Sequence, residues 1–240
     1  MIHHSDNLTL LRSLPENHID LIYSDILYGT GKNREYQDLK PIRDEIVKFY
    51  KPRLIEMRRV LKTTGSIYLQ MDTRINHWMR ILMDDIFGYN QFRNSIIWQY
   101  NSAARGKKDF GKRHDIILRY SKTNDYYFNT DNIRVPYAKS APRGYAKEKY
   151  YNDKGKVIGD VWEIPMIAQN DKTERVGYYS QKPLKLMYPI LHSSCPENGL
   201  VADFFMGSGT FLVAAKELGY NYVGCDNNIK AIEKTKERLK

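Results

Sequence analysis

The stretch Leu200-Val201-Ala202-Asp203-Phe204-Phe205-Met206-Gly207-Ser208-Gly209-Thr210-Phe211 decides how this chain is read. Residues 200–204 form an apolar run of strand length. Gly207 and Gly209 permit a tight turn, and residues 211–218 read as a helix ended by Gly219. A second strand, Tyr222-Val223-Gly224-Cys225-Asp226, follows. In such a βαβ unit the amides at the helix start face a ligand. An acid at the end of the second strand can accept two hydrogen bonds from a ribose diol. Asp226 lies 19 residues after Gly207, a spacing that suits this role. Leu212 stands where a dinucleotide fingerprint has its third glycine, and GxxxxGK[ST] is absent. The spacing therefore favours a nucleoside without a pyrophosphate, of which S-adenosylmethionine is the commonest on this architecture.

On either side of this stretch, strand and helix patterns alternate. Strands are expected at 19–23, 66–71, 94–100 and 115–121, and helices at 8–14, 42–61, 74–87, 184–192 and 229–239. Pro52 is expected to break the helix at 42–61 or to mark a new first turn, and Thr63-Thr64-Gly65 to form a turn. In the helix at 74–87, Trp78, Ile81, Leu82 and Ile86 are expected to face inward. The alternation implies an α/β fold, with a mixed, mostly parallel sheet and helices on both faces. Residues 129–177 lose this periodicity and read as an insertion between residues 1–128 and 178–240.

The chain has 240 residues and a formal net charge of +10. No run approaches 18 apolar residues, which argues against a membrane span, and no secretory leader is evident. Two isolated cysteines suggest a reducing cytoplasm, and no metal-ligand set stands out. The charge is uneven: residues 101–122 alone carry +5, a cluster that suits a phosphate backbone.

A second motif lies at Ser24-Asp25-Ile26-Leu27-Tyr28, at the carboxyl end of a strand, where open α/β sheets place ligands. Asp25 could accept a hydrogen bond from an amine, and Tyr28 could stack on a planar base. The same spacing also suits a surface turn whose Asp caps a helix.

Together the two motifs resemble the permuted, β-class bacterial amino-DNA methyltransferases, in which the catalytic motif precedes the cofactor motif. Asp25-Ile26-Leu27-Tyr28 falls where that family has Asp-Pro-Pro-Tyr. Asp203-Phe204-Phe205-Met206-Gly207-Ser208-Gly209-Thr210 is similar to its Asp-Pro-Phe-Met-Gly-Ser-Gly-Thr. Phe92-Arg93-Asn94, Lys107-Lys108-Asp109-Phe110, His114-Asp115 and Gln181-Lys182-Pro183-Leu184 extend the likeness along nearly the whole chain.

The resemblance implies a Rossmann-like, S-adenosylmethionine-dependent enzyme. It would methylate the N6 amine of an adenine flipped out of duplex DNA, within a restriction-modification system or alone. Asp25, Tyr28 and the backbone carbonyl of Ile26 would hold the base. Asp203, Phe205, Gly207, Ser208, Gly209, Thr210, Asp226, Lys182 and Pro183 would form the cofactor site. Arg105, Lys107, Lys108, Lys112 and Arg113 would grip phosphates, while Arg143 in the 129–177 target-recognition insertion would reach the DNA. Double-stranded DNA is the implied partner, with a homodimer and a cognate restriction endonuclease as further ones. Asp at position 25, where cytosine-N4 relatives usually have Ser, points to adenine; cytosine N4 is the alternative, with Ser24 adjacent. Ile26 and Leu27 replace two rigid prolines, which predicts a looser loop and leaves open a chain that binds DNA and cofactor without turnover.

Overall fold

In the computed structural model, residues 1–32, 36–101, 108–137 and 152–240 are described. In chain order the elements begin with β1 (Ile2–His4), α1 (Asn7–Ser13), β2 (Ile19–Asp25) and α2 (Arg43–Val60). Then come β3 (Leu61–Met71), α3 (Asn76–Phe87), β4 (Phe92–Gln99) and β5 (His114–Ser121). Short strands β6 (Arg134–Val135), β7 (Lys156–Val157) and β8 (Val161–Glu163) follow. The C-terminal part supplies α4 (Leu184–Ser194), β9 (Leu200–Asp203), α5 (Thr210–Glu217), β10 (Asn221–Asp226) and α6 (Ile229–Arg238).

Eight strands form one sheet in the order β1-β10-β9-β2-β3-β5-β4-β8. The pairs from β1 to β3 are parallel, β5 runs antiparallel to both neighbours, and β8 is parallel to β4. Apolar side chains of α1, α2 and α3 cover one face, and those of α4, α5 and α6 the other. At β2 and β9 the chain turns opposite ways, from β2 toward β3 and from β9 toward β10. That switch point leaves a crevice at the strands' carboxyl ends. Register brings Asp25 beside Gln70, Asp203 beside Gly224, and Asp115 beside Trp98, so all three carboxylates reach one edge of the sheet.

Several local expectations change. Helix α2 runs unbroken through Pro52. Its buried stripe, Ile46, Tyr50, Leu54, Met57 and Val60, outweighs the one missing backbone donor. Thr63-Thr64-Gly65 is part of β3 and not a turn. A Cβ on Gly65 would sit 2.9 Å from the Asp20 carbonyl, so only glycine fits this close pass between β2 and β3. Helix α3 is rotated from the expected face: Met79, Leu82, Met83 and Phe87 are buried, while Ile81 is exposed. Strand β1 had no sequence signal beyond three residues, yet its pairing with β10 orders the start of the chain. Within 129–177, Val161–Glu163 joins the main sheet on β4, and Trp98 Nε1 donates to the Ile164 carbonyl at 2.8 Å.

Candidate active site

The loop after β2 is tied down along its length. The Ile26 amide donates to the Gln70 carbonyl at 3.1 Å, which prolongs the β2–β3 ladder by one bond. The Ile26 side chain is buried in the core, and the Leu27 carbonyl accepts from the Tyr50 hydroxyl at 2.9 Å. Asp38 accepts from the Gly29 and Thr30 amides at 3.1 and 2.8 Å. Gly29 has φ +66°, and a Cβ there would lie 3.1 Å from Ile75. The looseness expected from the two missing prolines is therefore offset by hydrogen bonds and burial that proline at 26 would not allow.

The glycine turn after β9 is also braced. Gly209, at φ +72°, starts α5. The Gly207 amide donates to Asp226 Oδ2 at 3.0 Å. From α6, Thr235 Oγ1 donates to the Gly207 carbonyl at 3.0 Å, and Arg238 Nη1 donates to the Ser208 carbonyl at 2.8 Å. The C-terminal helix thus sets the shape of the turn.

Both loops open into one cavity of about 860 Å³. Asp25, Ile26, Tyr28, Lys182, Asp203, Phe205, Gly207, Ser208, Thr210 and Asp226 line it, all of them expected site residues. Pro183 caps the start of α4, and Gly209 the start of α5, just behind the lining. Among the described residues, six aspartates line the cavity against four lysines and arginines, although the chain as a whole is basic. The interior therefore favours a cation, while the surface favours an anion.

Lys182, expected beside the cofactor, lines the cavity and extends Nζ to Asp25 Oδ2 in a buried ion pair. Its backbone carbonyl accepts from Thr210 Oγ1 at 3.1 Å, which links the pair to the glycine turn. Burial raises the pKa of Asp25, with Lys182 acting against it. Burial also works to lower that of the Lys182 ammonium, but the charges of Asp25 and Asp115 outweigh it, and the pKa is raised. Burial lifts Asp203 and Asp226 too, in Asp226 against three backbone N–H donors.

Asp115 and Gln70 belong to the same cluster and were missed as site residues. The Tyr28 hydroxyl lies 2.7 Å from both Asp25 Oδ1 and Asp115 Oδ2. Gln70 Nε2 donates to Asp115 Oδ2 at 2.9 Å. The usable signal was positional: β5 begins at His114, so an antiparallel strand delivers its second residue to the edge where β2 and β3 end.

Of the expected phosphate-gripping residues, Lys108, Lys112 and Arg113 are exposed on the approach to β5. Arg105, Lys107 and Arg143 lie outside the described residues. Two other charges of the basic cluster are structural. Arg119 is buried over the Phe128 ring, and Lys122 Nζ donates to the Leu61 carbonyl at 2.6 Å. Among the described residues no helix is long and apolar enough to cross a membrane.

Comparison with known proteins agrees with this arrangement. A DNA methylase family model for N6 and N4 enzymes matches residues 19–237. The Type II methyltransferase M.HpaI of Haemophilus parainfluenzae is 34% identical over 98% of this chain and 72% of its own length. M.BglII of Bacillus subtilis is 30% identical over 94% of this chain, which spans 64% of that protein. A PvuII DNA methyltransferase described as cytosine-N4-specific superposes with a TM-score of 0.75, at 17% identity, over 100% of this chain and 86% of its own. At that identity it speaks to the fold alone. The match along almost the full sequence, over a sheet that gathers both motifs into one cavity, places the chain in the N6/N4 DNA methylase family.

Proposed function

We propose that the chain transfers a methyl group from S-adenosylmethionine to the exocyclic N6 amine of an adenine flipped out of duplex DNA. The observation that carries this reading is the shared cavity, with Asp25 and Tyr28 at the end of β2 and the glycine turn at the end of the adjacent β9. The residues fit the cofactor. Asp226 ends β10 with one lone-pair site left beside its three backbone donors, Gly207 leaves the turn bare of a side chain on the side where Tyr178 lines the cavity, and the acidic lining suits a sulfonium. Bound there, S-adenosylmethionine supplies an electrophilic methyl group.

The Tyr28 ring gives the base a stacking face, and Asp25 with the Ile26 carbonyl accepts the amine's hydrogens. Asp226 accepts from a ribose hydroxyl. Holding both reactants in line removes most of the entropic cost of their encounter. Asp25 also stabilises the positive charge that grows on the amine nitrogen. Extrahelical presentation is required because the amine is out of reach inside a stacked pair. Outside the cavity, Lys108, Lys112 and Arg113 grip the phosphates.

Adenine is favoured over cytosine by where Ser24 stands. Alternation along β2 turns it to the opposite face from Asp25, and its buried hydroxyl does not line the cavity. The test is single-molecule sequencing of DNA co-expressed with the chain, alongside Asp25→Ala. N6-methyladenine at one short sequence is expected with wild type and is absent with Asp25→Ala, while cofactor binding by calorimetry survives. N4-methylcytosine would overturn the adenine assignment, and no modified base would overturn turnover itself.

A further inference from the structure

Asp115 is 4% exposed and takes no part in the chemistry above. Three groups aim at it, from β3, from the loop after β2 and from the residue that follows β4. Gln70 Nε2 donates to its Oδ2, Tyr100 hydroxyl donates to its Oδ1 at 3.2 Å, and the Tyr28 hydroxyl stands 2.7 Å from its Oδ2. The Tyr28 oxygen lies equally close to Asp25 Oδ1. A phenol carries one hydrogen, so it can donate to only one of these carboxylates at a time. The other Asp25 oxygen is held by Lys182, whose ammonium also sits 5.4 Å from the centre of the Tyr28 ring.

Both oxygens of the carboxylate meant for the base amine are therefore engaged, one by Lys182 and one within reach of Tyr28. We infer that Asp115 is a positioning residue that takes the Tyr28 hydroxyl hydrogen bond when the base enters, freeing Asp25 Oδ1 for the amine. No proton is transferred in this step. The O–H bond of Tyr28 stays intact, its hydrogen bond to Asp25 is replaced by one to Asp115, and the amine N–H takes the vacated lone pair. Gln70 makes the second acceptor ready by fixing the Asp115 carboxylate in place; the Gln70 oxygen is itself fixed by the Tyr23 hydroxyl at 2.7 Å. The bond to Asp115 holds the Tyr28 hydroxyl in place while Asp25 changes partners. Asp115 acts on the base only through Tyr28.

This inference rests on the methyltransferase reading, and the experiment separates the two. Full-length chain in excess is mixed with unmethylated bacterial genomic DNA and methyl-labelled S-adenosylmethionine, and label transfer is followed over a single turnover. Asp115→Asn is expected to slow transfer by about tenfold to a hundredfold, the scale of a misplacement near 1 Å. Cofactor affinity by calorimetry stays within about twofold. Asp115→Glu, which keeps the carboxylate, restores part of the rate. In a Tyr28→Phe background, Asp115→Asn changes the rate less than about twofold, because the residues act as one unit. Tyr100→Phe, a milder change at the cavity wall, slows wild type several-fold, roughly what one hydrogen bond supplies, and leaves Tyr28→Phe unchanged. Equal losses in both backgrounds, or an Asp115→Asn rate within about twofold of wild type, would overturn the positioning role and leave the methyltransferase reading standing. A wild-type chain that transfers no label overturns both.

Discussion

At the scale of single residues, burial sets the chemistry of the carboxylates at the sheet edge. Asp203 is 2% exposed, and burial pushes its pKa well above the usual carboxylate value. Its Oδ1 accepts the Phe205 amide at 3.0 Å, a bond an amide oxygen can equally accept. An acid whose folded pKa lies above its unfolded value, about 4, holds more protons folded than unfolded. Its contribution to stability therefore falls as pH rises above about 4. Asp203→Asn removes that penalty. The variant is expected to melt at a higher temperature than wild type at pH 8, with the gain shrinking as pH falls toward 4. A constant gain across that range, read by thermal unfolding, would count against the argument. Asp226 and the glycines were legible from their spacing in a βαβ unit, whereas Asp25 and Tyr28, whose spacing also suits a surface turn, became legible through the family resemblance. Asp115 and the Lys182–Asp25 pair were not, because they depend on which strands become neighbours and on how a long side chain reaches across a cavity.

At the scale of elements, the base loop shows how one local rule gives way to another. Proline at 26 and 27 would lock φ and remove two donors. Here the donor at 26 is used, since its amide bonds the Gln70 carbonyl at 3.1 Å. Ile26→Pro is expected to cost about 1 kcal/mol or more of stability, by loss of that bond, and to lower activity. Leu27→Pro, which leaves the Tyr50 bond to the Leu27 carbonyl in place, is expected to keep or raise activity. Paired thermal melts and methylation rates of the two variants check this. The same competition explains what periodicity misread. Pro52 looked like a break, yet the tertiary burial of α2 carries the helix through it. Thr63-Thr64-Gly65 carried turn composition, but the glycine is there for close strand packing. The strand–glycine turn–helix of β9 and α5 was legible throughout, because propensity, pattern and packing agree there.

At the scale of the whole molecule, charge is sorted between inside and outside. Net charge of +10 sits around a cavity whose charged lining, among the described residues, is mainly aspartate. Each exposed cation that contacts a phosphate releases a counterion, so DNA affinity is expected to fall steeply with salt. Lys112→Ala and Arg113→Ala are each expected to lower the log–log salt slope by about one, with affinity reduced for all DNA sequences alike. Arg119→Ala should leave the slope unchanged, since that guanidinium is buried under Tyr126 and Phe128. Titrations of any duplex at several salt concentrations read all three. Composition revealed the basic segment but could not tell a cation facing solvent from one folded inward.

Strand β2 sits mid-sheet, with β3 on one flank and β9 on the other, and Leu21 pairs with Val201. A ribosome therefore finishes β2 and β3 long before β9 exists, by roughly ten seconds or more at ordinary synthesis rates. For that interval the run Ile19, Leu21, Ile22 and Tyr23 stands as an open, apolar border, the kind that recruits other chains. Newborn copies of this protein thus need shelter, from a chaperone or from dilution, until β9 emerges and closes the gap.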